Sequence, residues 1–366
     1  MKLISKLILL AGACILLTSS CATGPIADRV AEASNSVADR IVEASDIIAN
    51  RIAEANDGDS GSSNAILLIK NTYPIASVQN LKVLTSGGSI DVSGDATQEA
   101  VIEMYVKPNN NRNLSKNEIQ EILDRDYEIR IEQTGGTLEA YAKQRNNLNW
   151  RNRLSISFKV RTGNRVATDL LTSGGHIRIA NLSGRQNFKT SGGSLEVENL
   201  DGNITGRTSG GSIQAYNSKG TINLSTSGGP IRMEGLAGDI DVSTSGGSIK
   251  GHSLRGSVLA KTSGGSVDLD NLIGSVSASS SGGSLTAVLN ELQGDVRLST
   301  SGGNINLTLP QNVGANLDFK GSSVNLDGVA NFQGSNNKGK LNGSINGGGA
   351  NVQASTSGGN INLTVR

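Results

Sequence analysis

One phrase, repeated at a fixed interval, constrains this chain more than anything else in it. Thr-Ser-Gly-Gly begins at Thr172, Thr190, Thr208, Thr226, Thr244 and Thr262, a constant step of eighteen residues. A copy with serine in the first place begins at Ser280, and further copies begin at Thr85, Thr300 and Thr356. A regular period of this size is the signature of a solenoid. A single repeat cannot stand alone, because its few aliphatic side chains do not offset the entropy of ordering its backbone. Neighbours must stack and share a core.

With the threonine as position one, the columns show where each side chain points. Position six holds Ile177, Leu195, Ile213, Ile231, Ile249, Val267 and Leu285. Position eight holds Ile179, Val197, Ala215, Met233 and Leu269, with Gly251 the exception. Positions fifteen and seventeen carry Ile222 and Leu224, then Ile240 and Val242. A spacing of two is strand alternation. Positions seven and nine are polar and variable, and so face solvent. Position eleven is usually leucine, as in Leu182, Leu200, Leu236, Leu254 and Leu272. Glycine holds position thirteen from Gly184 to Gly274. Asn181, Asn199, Asn217 and Asn271 recur at position ten and read as a turn ladder beside a corner.

The expected fold is all-β: a parallel β-solenoid, or single-stranded β-helix, of about eighteen residues per coil. Each coil has two short strands and two tight corners, with the glycine pair and the position-thirteen glycine between strands. The pattern does not set the handedness; a right-handed sense is the expectation. The repeat domain is placed at 171–366. Residues 65–170 form an α+β cap over its first coil, with one helix opened by a Ser115/Glu118 capping box and an apolar face of Ile119, Ile122 and Leu123. Trp150, the only tryptophan, is assigned to packing in this cap. A polar last coil, with the final TSGG copy, is expected to close the other end.

The N-terminus speaks to location. Lys2 and Lys6 precede a short apolar core at 7–17, small residues and Cys21. That core is too short to span a bilayer as a helix and reads as a secretory signal over 1–20. The Leu-Thr-Ser-Ser-Cys ending resembles a bacterial lipoprotein box. The resemblance implies lipidation of Cys21, with Cys14 the rival, and a lipid-anchored envelope protein, of the outer membrane given Ala22. A helical stalk is expected over 21–58, where 27–58 repeats with a period of eleven and suits a helix of slight right-handed supercoil. Such a stalk is a candidate for homo-oligomerisation. Residues 59–64 read as a linker.

Signals for chemistry are weak. A net charge of +1 advertises no nucleic-acid partner. The nearest acidic neighbours, Asp268 and Asp270, sit at outward positions on one strand, in a face that elsewhere carries Arg178, Glu196, Gln214, Arg232 and Lys250. His176 and His252 are four coils apart and in different columns, so no shared metal site is expected. The repeat lacks the aspartate column of a calcium-binding β-roll. No catalytic, cofactor-binding or metal-binding residue is assigned, and no cofactor.

The TSGG ladder, the strand–helix–strand entry, the ending INGGGANVQASTSGGNINL and the lipoprotein signal together resemble a bacterial β-strand-repeat family called "putative adhesins", a domain of unknown function. The resemblance covers about residues 65–366 and leaves out the stalk. It implies a parallel β-helix in the cell envelope and carries no catalytic or binding residues across. The reading is a non-enzymatic, membrane-anchored solenoid for adhesion, scaffolding or surface structure, with an extended glycan or protein as partner. The alternatives are a glycan-processing enzyme on the same fold and an accessory in envelope-stress signalling.

Overall fold

The computed structural model describes residues 65–109, 114–145 and 153–366. The signal at 1–20, Cys21, the stalk, the linker and Trp150 lie outside the described residues. What is described is nearly all β, with one α-helix. The first strands are β1 (Ile66–Pro74), β2 (Asn80–Thr85), β3 (Ile90–Ser93) and β4 (Glu99–Pro108), followed by α1 (Lys116–Asp126). Then come β5 (Tyr127–Thr134), β6 (Thr137–Gln144), β7 (Leu154–Arg161), β8 (Ala167–Thr172), β9 (Ile177–Ala180) and β10 (Ser183–Lys189). The regular coils hold β11 (Leu195–Glu198), β12 (Asp201–Arg207), β13 (Ile213–Tyr216), β14 (Lys219–Ser225), β15 (Ile231–Glu234) and β16 (Ala237–Ser243). They continue through β17 (Ile249–Lys261), β18 (Val267–Ser280), β19 (Leu285–Thr300) and β20 (Ile305–Leu309). The last are β21 (Ala315–Lys320), β22 (Val324–Asp327), β23 (Gln333–Asn337), β24 (Lys340–Ile345), β25 (Ala350–Thr356) and β26 (Ile361–Val365).

From β11 to β16 each repeat contributes a short strand of four residues and a long strand of seven, and in β17, β18 and β19 the two run together as one strand. Both pair in parallel with the same strand of the next repeat: Leu195 lies opposite Ile213, and Ile204 opposite Ile222. Like therefore stacks on like, forming a short-strand face and a long-strand face with the core between them. Leu195, Val197, Ile204, Ile213, Ala215, Ile222 and Leu224 are each at most 1% exposed. Position eleven is inward too, as Leu200 and Leu236 are buried. Gln186 takes the aliphatic place at position fifteen of the first repeat and is wholly buried. It is satisfied there, because Thr168 donates to its Oε1 at 2.7 Å and its Nε2 donates to the Val166 carbonyl at 2.9 Å. A fully satisfied buried pair fixes which strand may sit beside β8.

The corners differ from the sequence reading in one respect. Position-thirteen glycine lies inside the long strand, as Gly202 does in β12, and not between strands. The bend falls earlier, at the position-ten asparagines, whose φ is 60° at Asn181, 52° at Asn199 and 48° at Asn217. Asparagine tolerates this left-handed backbone better than other side chains. The amides also form the expected ladder, with Asn199 donating to Asn181 at 3.0 Å. Gly202 is required for two reasons: its φ is +128°, and a Cβ would lie 2.4 Å from the Gly184 carbonyl oxygen.

The TSGG threonines form a polar spine. Thr226 Oγ1 donates to the Gly211 carbonyl of the preceding coil at 2.8 Å and accepts from the Gly229 N–H of its own coil at 3.3 Å. Every regular coil repeats this geometry, and Ser280 reproduces it with donation to Gly265 at 2.8 Å. The threonines are buried, so an apolar replacement leaves backbone groups without partners. Thr226→Val is expected to cost about 1–3 kcal/mol, and Thr226→Ser much less. Urea melts of the two variants check this; equal losses would show that the methyl matters as much as the hydroxyl.

Both ends are stacked out of chain order. At the N-terminal end, β2 pairs with β6 on one side and β8 on the other, and β3 pairs with β7 and β9. The first coil is thus an inner layer, and Thr85 donates to Ile156 as Thr172 does to Gly88. β1 and β4 extend the short-strand face antiparallel, and β5 extends the long-strand face. Helix α1 has the expected capping box at Ser115 and Glu118, with Ile119 and Leu123 buried. At the other end, β25 lies between β19 and β21, and β26 between β20 and β22. The final TSGG copy is therefore the penultimate layer and not the outermost coil that the sequence suggested. The outer layer is β21–β22 with the β23–β24 hairpin. Residues 64–366 form one compact unit, and the buried core lies inside it among the described residues. This unit holds the contacts it needs to fold by itself.

Candidate binding face

Parallel stacking turns each outward column into a straight row of side chains about 4.8 Å apart. On the short-strand face, column seven runs Arg178, Glu196, Gln214, Arg232, Lys250 and Asp268. Column nine beside it includes Glu198, Tyr216, Glu234, His252 and Asp270. These side chains answer one another across coils. Arg178 reaches Glu196 at 3.4 Å and Glu198 at 3.5 Å. His252 Nδ1 lies 3.2 Å from Asp270 Oδ2. Within one coil Tyr216 donates to Gln214 at 2.9 Å.

A shallow depression of about 280 Å³ lies on this face, lined by Arg232, Glu234, Lys250, His252, Asp268 and Asp270 above Met233 and Gly251. At Gly251 the tips of the Leu254 and Leu269 side chains occupy the space a side chain would take, 2.7 and 2.9 Å from where its Cβ would sit. The structure places Asp268 and Asp270 outward, as the alternation requires. It keeps His176 and His252 apart. The His252–Asp270 pair was missed in the sequence, although both residues occupy position nine of successive coils. Both are 56% exposed, so water reaches and screens the pair. Among the described residues no group of three His, Asp or Glu is placed to hold a metal ion.

Past Asp268 and Asp270 column seven becomes uncharged. The phrase TSGGNINLT occurs at 300–308 and again at 356–364. The two copies stack directly, with Asn306 opposite Asn362. Asn362 donates to Asn306 at 2.8 Å, and Asn325 to Asn362 at 2.9 Å. The face thus changes from a compensated charge lattice to an amide lattice along its length.

Toward the other end Asp91 lies between Lys159 and Arg178 in register. Burial pushes its carboxyl above the usual carboxylate range, against the opposing pull of Arg178, Lys159 and His176. The folded chain therefore holds this proton to higher pH than the unfolded chain does. Stability from this group is gained as pH falls through that raised window and lost as pH rises through it. Asp91→Asn is expected to raise the urea midpoint at neutral pH and to remove this part of the pH dependence. A lowered midpoint would mean that attraction to Arg178 and Lys159 outweighs burial.

A solenoid with one long, flat, mutually compensated polar face is the class of protein that this geometry defines. The chain belongs to the Toastrack DUF4097 family, whose model matches residues 45–364. The match starts inside the eleven-residue repeats, earlier than the resemblance drawn from the TSGG region. Among solved structures, a "putative cell adhesion protein" from Clostridium sporogenes is 12% identical, over 81% of this chain and 99% of that one, with a TM-score of 0.20. A "putative adhesin" from Bacteroides fragilis is 12% identical over 83% and 98%, with a TM-score of 0.24. No curated protein matches the chain.

Proposed function

We propose that this is a non-enzymatic, envelope-anchored solenoid that uses its short-strand face to hold an extended partner, a glycan or a protein, in adhesion or scaffolding at the cell envelope. The observation that carries the reading is the face itself. Its polar groups are fixed in straight rows by buried strands, so little ordering entropy remains to be lost on binding. The carboxylates Asp268 and Asp270 are exposed and lie among cations, an arrangement suited to contact more than to proton transfer. The anchor is assigned to Cys21 on the signal that precedes it.

Three experiments test this. Labelled palmitate should enter the wild-type chain and not Cys21→Ser. Protease shaving of intact cells, beside permeabilised ones, reads the orientation. Loss of the solenoid from intact cells supports a surface role. Loss only after permeabilisation sinks adhesion and favours a periplasmic scaffold or a part in stress signalling. Glycan turnover by the chain that is lost in Asp268→Asn would replace the binding reading with the enzymatic one.

A further inference from the structure

The long-strand face carries a row unlike any other on the molecule. Across six adjacent strands, β5, β6, β2, β8, β10 and β12, the outward residues in register are Arg130, Tyr141, Leu84, Leu171, Lys189 and Arg207. Leu171 is 41% exposed and, with Leu67 of β1, is one of two large apolar side chains exposed among the described residues. Arg130 stacks 4.7 Å over the Tyr141 ring. The row is therefore apolar at its centre and cationic at both ends.

At one end Arg130 is answered by Glu128 at 3.4 Å, whereas the cations at the other end have no such partner among the described residues. The neighbouring row alternates Glu139, Lys82 and Asp169, and Asn187 holds Asp169 at 2.9 Å. In the apolar row Lys189 stands directly opposite Arg207. Like charges so placed repel and destabilise a sheet. Neither makes an ion pair among the described residues. Two facing cations beside an exposed leucine and a tyrosine fit a surface that is anionic outside and apolar beneath. These layers are the N-terminal ones, and β1, the strand that follows the expected anchor in the chain, lies just beyond them on the short-strand face.

We propose that this row rests on an anionic lipid surface, holding the N-terminal layers against the bilayer with Leu171, Leu84 and Tyr141 at head-group depth. The proposal rests on the envelope-anchored reading for the presence of that bilayer. The test uses residues 64–366, which lack both the anchor and the stalk, with phosphatidylcholine vesicles and with vesicles that also contain phosphatidylglycerol. Sedimentation should show binding to the second kind only, released by raised salt. Each basic side chain near such a surface contributes about fivefold in partitioning. Lys189→Asn with Arg207→Asn should therefore lower binding about 25-fold, and Leu171→Ser should lower it several-fold. All three positions are exposed, so the fold survives, and the melting curve verifies that. Equal binding to both vesicles, or unchanged binding by the double variant, overturns the proposal. So does a wild-type dimer that Leu171→Ser dissociates, since the row would then belong to a second copy. If Cys21 carries no lipid while vesicle binding stands, the anchor reading alone fails. If Cys21 is acylated and vesicles are not bound, this inference alone fails.

Discussion

Gly211→Ala is expected to abolish folding of the solenoid, whereas Gly210→Ala, one residue away, should leave it intact. The two glycines look equivalent in the sequence. A Cβ on Gly211 would lie 1.9 Å from the Gly193 carbonyl oxygen of the coil beneath, while on Gly210 its nearest neighbour would be 3.7 Å away. The obstacle at Gly211 is backbone already held in the stack, so no side chain can rotate to make room. The coils would have to separate at that corner and break the Thr208 and Thr226 bonds with it. The expected loss exceeds about 3 kcal/mol and is carried across the neighbouring interface. At Gly210 alanine removes unfolded-state freedom at no steric cost and could add a few tenths of a kcal/mol. Circular dichroism and urea melts of the pair decide it. A folded Gly211→Ala chain of normal stability would mean that the coils stack less tightly than the carbonyl contacts indicate.

Stopping the chain at Gly349 should have an effect of similar size, confined to one end. It removes β25 and β26, which fill the slot between β19–β20 and β21–β22. β22 pairs only with β26 and would lose its ladder outright. Ile305 and Leu307, now buried, would face an open layer. Because solenoid stability is summed over neighbouring coils, the damage should stop a coil or two away. Hydrogen exchange should show lost protection across 315–345 with residues 177–280 still protected. The exposed edge should also promote association between chains. Full protection over 315–345 in the shortened chain would show that β21 and β24 hold the end without the inserted layer.

The repeat was legible because each of its columns answers to one physical demand. Aliphatic residues at six and eight, and asparagine at ten, could be read without coordinates. The capping box at Ser115 was legible for the same reason, being local. What could not be read depended on contacts between distant segments. The difference between Gly210 and Gly211 appears only once the previous coil is in place. The insertion of β25 and β26 joins residues 296 and 352, and no period announces it. The face was partly legible: Asp268 and Asp270 pointed outward as expected. The His252–Asp270 pair was not legible along the strand because it joins successive coils across the stack. The Lys189–Arg207 opposition likewise arises between coils, eighteen residues apart, and is set by register rather than by neighbours along the strand.

The displaced order of the layers also sets a sequence of events for a chain made from its N-terminus. Coils 171–300 can stack as they emerge, each on the one before. Residues 315–327 must then wait, because the layer on which they rest is written after them. Until residues 350–365 arrive, the far end of the molecule is an unfinished stack with a vacant berth. A chain cut short by a proteolytic nick or an early stop is thus marked by its own open edge, and only one carrying that last segment can close.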